Sequence, residues 1–176
     1  MAADMDDFWV FGYGSLMWNP GFDFVERHAA RAFGYRRALC VRSYVHRGTP
    51  EHPGLVLGLD QGGSCLGAAF RVTGDDKAAV LDYLRARELV THVYKERSLT
   101  LLLGDGRRVD ATGYVVDRAH EQYAGAIAAE EAARIVATSS GRSGHNRDYV
   151  LNTLDHLREM RIRDRWLEQV GRLLSV

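Results

Sequence analysis

The stretch Phe8 to Pro20 reads FWVFGYGSLMWNP. Its apolar run, Phe8-Trp9-Val10-Phe11, predicts a short buried strand. The run stops at Gly12-Tyr13-Gly14-Ser15. Two glycines so close together let the backbone turn sharply and come near a ligand. The N–H groups after such a turn can converge on an anion or on a developing oxyanion. A plain strand-to-loop turn uses the same residues, and the pair alone does not separate the two. Two specific sites are disfavoured. A dinucleotide fingerprint needs a third glycine at Met17, and a phosphate loop needs a Gly-Lys-Ser/Thr ending that Leu16-Met17-Trp18 lacks.

Working outward from this strand, further strand-like runs fall at 35–45, 54–60, 65–72, 91–103 and 108–117. The last two flank Gly104-Asp105-Gly106, which predicts a hairpin turning at Asp105-Gly106. The first clear helix is expected over 75–87, with Thr73 and Asp76 as a candidate cap. A second is expected over 128–138. A third should begin near Asn146, a good N-cap residue, with Val150, Leu154 and Leu157 on one face. A fourth is expected to bury Ile162, Trp166, Val170 and Leu173. Strands come early and helices late, which favours an α+β fold over a doubly wound sheet.

The chain has 176 residues, enough for one domain with a proper core. Lys+Arg and Asp+Glu balance at 23 each, so no polyanion-binding surface is implied. Arg31, Arg36, Arg37, Arg42 and Arg47 are spread along a strand and its flanks, where solvated side chains are the plain reading. Cys40 and Cys65 are isolated thiols in apolar runs, read as buried structural cysteines. The seven histidines show no metal-ligand spacing. The acidic start, MAADMDDFW, has no apolar signal-peptide core, and no run reaches membrane-spanning length. The expectation is a cytoplasmic protein.

One carboxylate stands out. Val80, Leu84 and Glu88 are spaced by four and share one helix face, apolar except for Glu88. An acid on such a face loses hydration, which raises its pKa and suits a group that takes and returns a proton near neutral pH. An ion pair with Arg85 or Arg87, or a frayed helix end, is the plain alternative, and the pattern leaves it open. Glu96, between Lys95 and Arg97, reads as solvent-facing. Asp60 reads as closing a strand at a turn. Ser15 lacks the G-x-S-x-G setting of a nucleophile.

Four segments together carry a resemblance: GYGSLMWNPGF (Gly12 to Phe22), HRGTPEHPG (His46 to Gly54), YLRARELVTHVY (Tyr83 to Tyr94) and SGRSGHNRDYV (Ser140 to Val150). In this order they resemble the ChaC family, the glutathione-specific γ-glutamylcyclotransferases. The resemblance runs from about Phe8 to about Leu157. It implies an α+β fold with a small, closed, mixed β-barrel flanked by helices, as one γ-glutamylcyclotransferase-like domain over 1–176. It implies Glu88 as the catalytic acid–base, backbone donors from Tyr13, Gly14, Ser15 and Leu16, and substrate contacts from Tyr94 and Tyr149. For each of the two tyrosines an ordinary half-buried aromatic stays open, for Tyr149 above all. No metal or organic cofactor is implied, and the expected partner is a small-molecule substrate, glutathione. Neither nucleic acid nor membrane is expected, and the chain is expected to be a monomer. Cyclisation of other γ-glutamyl amines or dipeptides, and a non-catalytic regulatory protein linked to cation transport, are the competing readings.

The chain departs from the family pattern in three places, of which Val150 for a common leucine is a minor packing change. His92 and Val93 fill a space where a glycine often precedes the tyrosine, so a narrower mouth near Glu88 is expected. Arg142 stands where a proline is common, which leaves the shape of that loop open.

Overall fold

A computed structural model describes residues 7–175. The acidic start that bears on the signal-peptide reading, residues 1–6, lies outside the described residues. The elements run β1 (Phe8–Gly12), α1 (Ser15–Trp18), β2 (Glu26–Ser43), β3 (Gly54–Val72), α2 (Gly74–Glu88), β4 (Tyr94–Leu103) and β5 (Arg108–Val116). Then follow α3 (Ala129–Thr138), the short strands β6 (Ser140–Gly141) and β7 (Gly144–His145), α4 (Asn146–Glu159) and α5 (Arg165–Leu174).

Five strands close into a barrel in the order β1-β3-β2-β4-β5. The barrel is mixed. β1 runs antiparallel to β3, Phe8 opposite Val72, and parallel to β5, Trp9 opposite Ala111. The β4–β5 hairpin turns through Gly104-Asp105-Gly106, as expected. Side chains alternate across each strand. Phe11 therefore joins Leu59, Ala69, Leu99 and Leu101 in one apolar cluster. Its neighbour Val10 joins Leu16, Val72, Val80, Leu84 and Tyr114 in a second, which seats α2.

The chain divides into two compact units, Met1–Arg37 with Leu59–Asp117, and Ala38–Gly58 with Arg118–Val176. The first holds β1, α1, α2, β4, β5 and most of β2 and β3. In the second, α3, α4 and α5 pack on one another. There Asn146 is wholly buried, and its side-chain amide accepts from Leu55 N–H and donates to Leu55 C=O, both at 2.8 Å.

Several local expectations need correction. Runs 35–45 and 54–60 with 65–72 are parts of two long strands, because Gly62 and Gly63, both at positive φ, bend β3 without ending it. The backbone N–H of Asp76 bonds the Thr73 carbonyl, but the Thr73 side chain makes no cap. His145, not Asn146, is the N-cap of α4, since the Asn146 amide is committed to β3. Asp164 caps α5 by accepting from Leu167 N–H at 3.0 Å. The helix therefore buries Leu167, Val170 and Leu174, while Leu173 is exposed and Ile162 precedes the helix.

Candidate active site

Helix α2 buries Val80 and Leu84, and Glu88 closes it on the same stripe. The Glu88 side chain keeps 17% of its exposure. Burial pushes its carboxyl above the ordinary carboxylate range, and the neighbouring Arg87 charge opposes that rise. This is the solvent-poor acid that the sequence pattern anticipates. The ion-pair alternative is present as well: Arg87 Nε lies 3.6 Å from Glu88 Oε1, an attraction longer than a hydrogen bond. Arg85 is not a partner of Glu88. Its guanidinium grips both oxygens of Glu96 at 3.0 Å, and the buried Tyr114 hydroxyl donates to the same carboxylate at 2.9 Å. Glu96 is therefore a tied acid, held low chiefly by Arg85, and not the free solvent face expected.

The glycine turn reaches Glu88 through Arg87. The Arg87 guanidinium donates to Ser15 Oγ at 2.8 Å, to the carbonyls of Asn19 and Pro20 at 2.8 and 3.2 Å, and to the Tyr83 hydroxyl at 3.1 Å. One side chain thus spans Ser15 and Glu88. Leu16 is buried in the apolar cluster under α2, and Tyr94, the first residue of β4, packs against the same cluster. Tyr13 packs against the cluster of Phe11, Leu59 and Leu99. Its carbonyl accepts from Arg37 Nε at 2.7 Å. Gly14 precedes α1 at φ −136°, outside the left-handed region. Its carbonyl accepts from Met17 N–H, whereas the N–H groups of Ser15 and Leu16 lie in a first turn with no preceding turn to bond.

Tyr149 belongs to the second unit. Its hydroxyl accepts from Leu57 N–H at 3.0 Å, and Arg47 lies over its ring at 5.6 Å. Six of the seven candidate residues therefore fall in the first unit, where Arg87 links Ser15 to Glu88 while Leu16 and Tyr94 pack in the apolar cluster that seats α2. Val93 is 1% exposed, so its bulk is absorbed in packing, while His92 stays exposed at φ 60°. Arg142 N–H donates to the Val45 carbonyl at 2.8 Å, a bond that a proline there would lack.

Two arginines carry more than the sequence reading gave them. Arg37 is 9% exposed and also donates to the Leu66 carbonyl at 2.6 Å. It is a buried brace, not one of a set of solvated side chains. Its strand parity, shared with the buried Leu39 and Val41, is the signal that marks it. Arg87 follows Leu84 by three, which puts it beside the buried stripe. Asp60 is likewise inside β3, 1% exposed and paired with Arg36 at 3.1 Å, rather than at a strand end.

Residues 8–175 match the ChaC-like protein family. The chain belongs to that family. A glutathione-specific γ-glutamylcyclotransferase of Escherichia coli (strain K12) is 36% identical over 96% of this chain and 72% of its own length. Glutathione-specific γ-glutamylcyclotransferase 1 of Homo sapiens is 32% identical over 88% of this chain and 72% of its own. The crystal structure of a yeast γ-glutamyl cyclotransferase specific to glutathione superposes with a TM-score of 0.84 at 22% identity, covering 96% of both chains. That likeness carries the ChaC-like barrel with its flanking helices.

Proposed function

We propose that this ChaC-like protein is a glutathione-specific γ-glutamylcyclotransferase, releasing 5-oxoproline and cysteinylglycine. The observation that carries the reading is Glu88: a solvent-poor carboxyl with a raised pKa, joined through one guanidinium to the glycine turn. The names of the relatives support glutathione as the substrate.

The reaction is an internal cyclisation. Glu88 removes a proton from the α-ammonium of the γ-glutamyl group, because a protonated amine has no lone pair to attack with. The freed amine adds to the γ-carbonyl carbon of the same residue. Most of the acceleration then comes from holding amine and carbonyl together. Backbone N–H groups of the Tyr13-Gly14-Ser15-Leu16 turn stabilise the oxyanion. Glu88 returns the proton to the cysteine nitrogen as the C–N bond breaks, and the extra proton of the attacking nitrogen passes to the departing amine, so that 5-oxoproline leaves as a neutral lactam and cysteinylglycine as its ammonium. No water is consumed and no covalent enzyme intermediate forms. Tyr94 places its hydroxyl against the substrate.

The same reading makes 1–176 one functional domain, acting as a cytoplasmic monomer without nucleic-acid or membrane partners. The family match over 8–175 supports the first point, and the balanced charge supports the lack of a nucleic-acid partner. Among the described residues no helix is long and apolar enough to cross a membrane. Incubation with glutathione, with detection of both products, tests the function. Absence of both products would overturn it.

A further inference from the structure

We propose that Arg87 is the positioning residue of this site, setting the glycine turn against the Glu88 carboxylate. The inference rests on the cyclotransferase reading and adds a part that the reaction itself does not require. The geometry is specific. α1 has four residues, far too few for a helix to hold itself in water. Arg87 takes Ser15, the first residue of α1, and Asn19, its C-cap, in one planar fork. The Pro20 carbonyl and the Tyr83 hydroxyl fill the same end of the guanidinium. The remaining Nε edge faces Glu88. The turn and the carboxylate are therefore located by the two ends of one rigid group.

Arginine suits this task and lysine does not. A guanidinium presents five N–H groups in fixed directions, whereas an ammonium is a single point of charge on a flexible stem. Lysine can keep the attraction to Glu88 but cannot also bridge Ser15 and Asn19. Arg87 has a second effect on the same carboxylate. Its charge opposes the rise caused by burial, which keeps more Glu88 ionised and ready to accept a proton. Arg85, two residues earlier, is the natural control. It is on the same helix and pairs with Glu96 instead.

The test compares Arg87→Ala, Arg87→Lys and Arg85→Ala with the wild type, using glutathione as substrate. Arg87→Ala is expected to keep its circular dichroism and to lose about 10²-fold in kcat, the size of effect that an ångström-scale misplacement produces. KM should change much less. Added guanidinium at millimolar concentration should restore part of the lost kcat in Arg87→Ala and leave Arg85→Ala unchanged. Arg87→Lys should stay impaired, and it carries the kcat test should the alanine variant not fold. Wild-type kcat in either folded Arg87 variant, or a loss that guanidinium does not reverse in a folded Arg87→Ala, overturns the inference. Amide exchange over residues 15–19 gives a readout independent of turnover. It should quicken in both Arg87 variants and not in Arg85→Ala, and unchanged exchange also overturns the inference. An inactive wild type would sink the functional reading, while this exchange measurement would still decide the role of Arg87.

Discussion

Burial holds the Glu88 carboxyl above the ordinary carboxylate range. A folded acid with a raised pKa binds its proton more tightly than the unfolded chain does, whose glutamates titrate at about 4.3. Its contribution to stability is complete below the unfolded value and is lost as pH rises through the folded value. At neutral pH, ionised Glu88 therefore works against folding. Glu88→Gln removes that opposition and should be more stable than the wild type at neutral pH, with the difference closing in acid. Urea midpoints across that range check the sign, and a less stable variant at neutral pH would contradict it. The same variant should lose turnover by roughly two to four powers of ten, the usual size of general acid–base loss. Turnover near the wild-type rate would remove Glu88 as the base. His92 offers a smaller test. A non-glycine residue at φ 60° carries a cost that glycine avoids, partly offset by glycine's larger unfolded-state entropy. His92→Gly should gain about 0.5–1 kcal/mol in stability. An unchanged or lower urea midpoint would show that the His92 conformation carries no net cost.

At the scale of elements, the site depends on how closely β1 approaches β3. Gly12 pairs with Ala68, and a Cβ at Gly67 would collide with the Gly12 carbonyl and the Phe11 ring. Gly67→Ala should force β1 away and cost about 1–3 kcal/mol, with turnover falling because the glycine turn follows Gly12 directly. Wild-type stability and turnover in this variant would mean that β1 has room to move. Much of this layer is legible in the sequence. The first strand, the hairpin and the Val80-Leu84-Glu88 stripe all follow from local periodicity and turn chemistry. Arg37 is harder, because a long charged side chain in a strand ordinarily reaches solvent. Here it finds two carbonyls to bond instead. The glycines at 62 and 63 look like a strand break for the same local reasons that make them a bend. The helix α5 stripe is displaced because Asp164 caps the helix and fixes where it begins. Barrel closure by the parallel β1–β5 pair joins segments about a hundred residues apart and leaves no periodic trace, so it rests on family likeness and not on pattern.

At the scale of the whole molecule, the chemistry dictates what the protein must recognise. The attacking group is the free α-amine of a γ-glutamyl residue. N-acetylated glutathione keeps the thiol, the glycine carboxylate and the scissile bond but has no basic nitrogen to attack with. It should therefore give no product, however well it binds. γ-Glutamyl-alanine keeps the amine and loses most of the cysteinylglycine half. It should react more slowly than glutathione, because contacts remote from the reacting centre are used to align it. Chelators should leave the rate unchanged, since the histidines and cysteines lack metal-ligand spacing. The measurement is product release from the three substrates at matched concentrations, with glutathione also run under chelator. Turnover of the acetylated compound would exclude attack by the α-amine. Loss of activity under chelator would require a metal in the mechanism. A preference for γ-glutamyl-alanine would leave the cyclisation intact and overturn the choice of glutathione. These outcomes separate because the amine, the metal and the cysteinylglycine half enter at different points: nucleophile, Lewis acid and alignment.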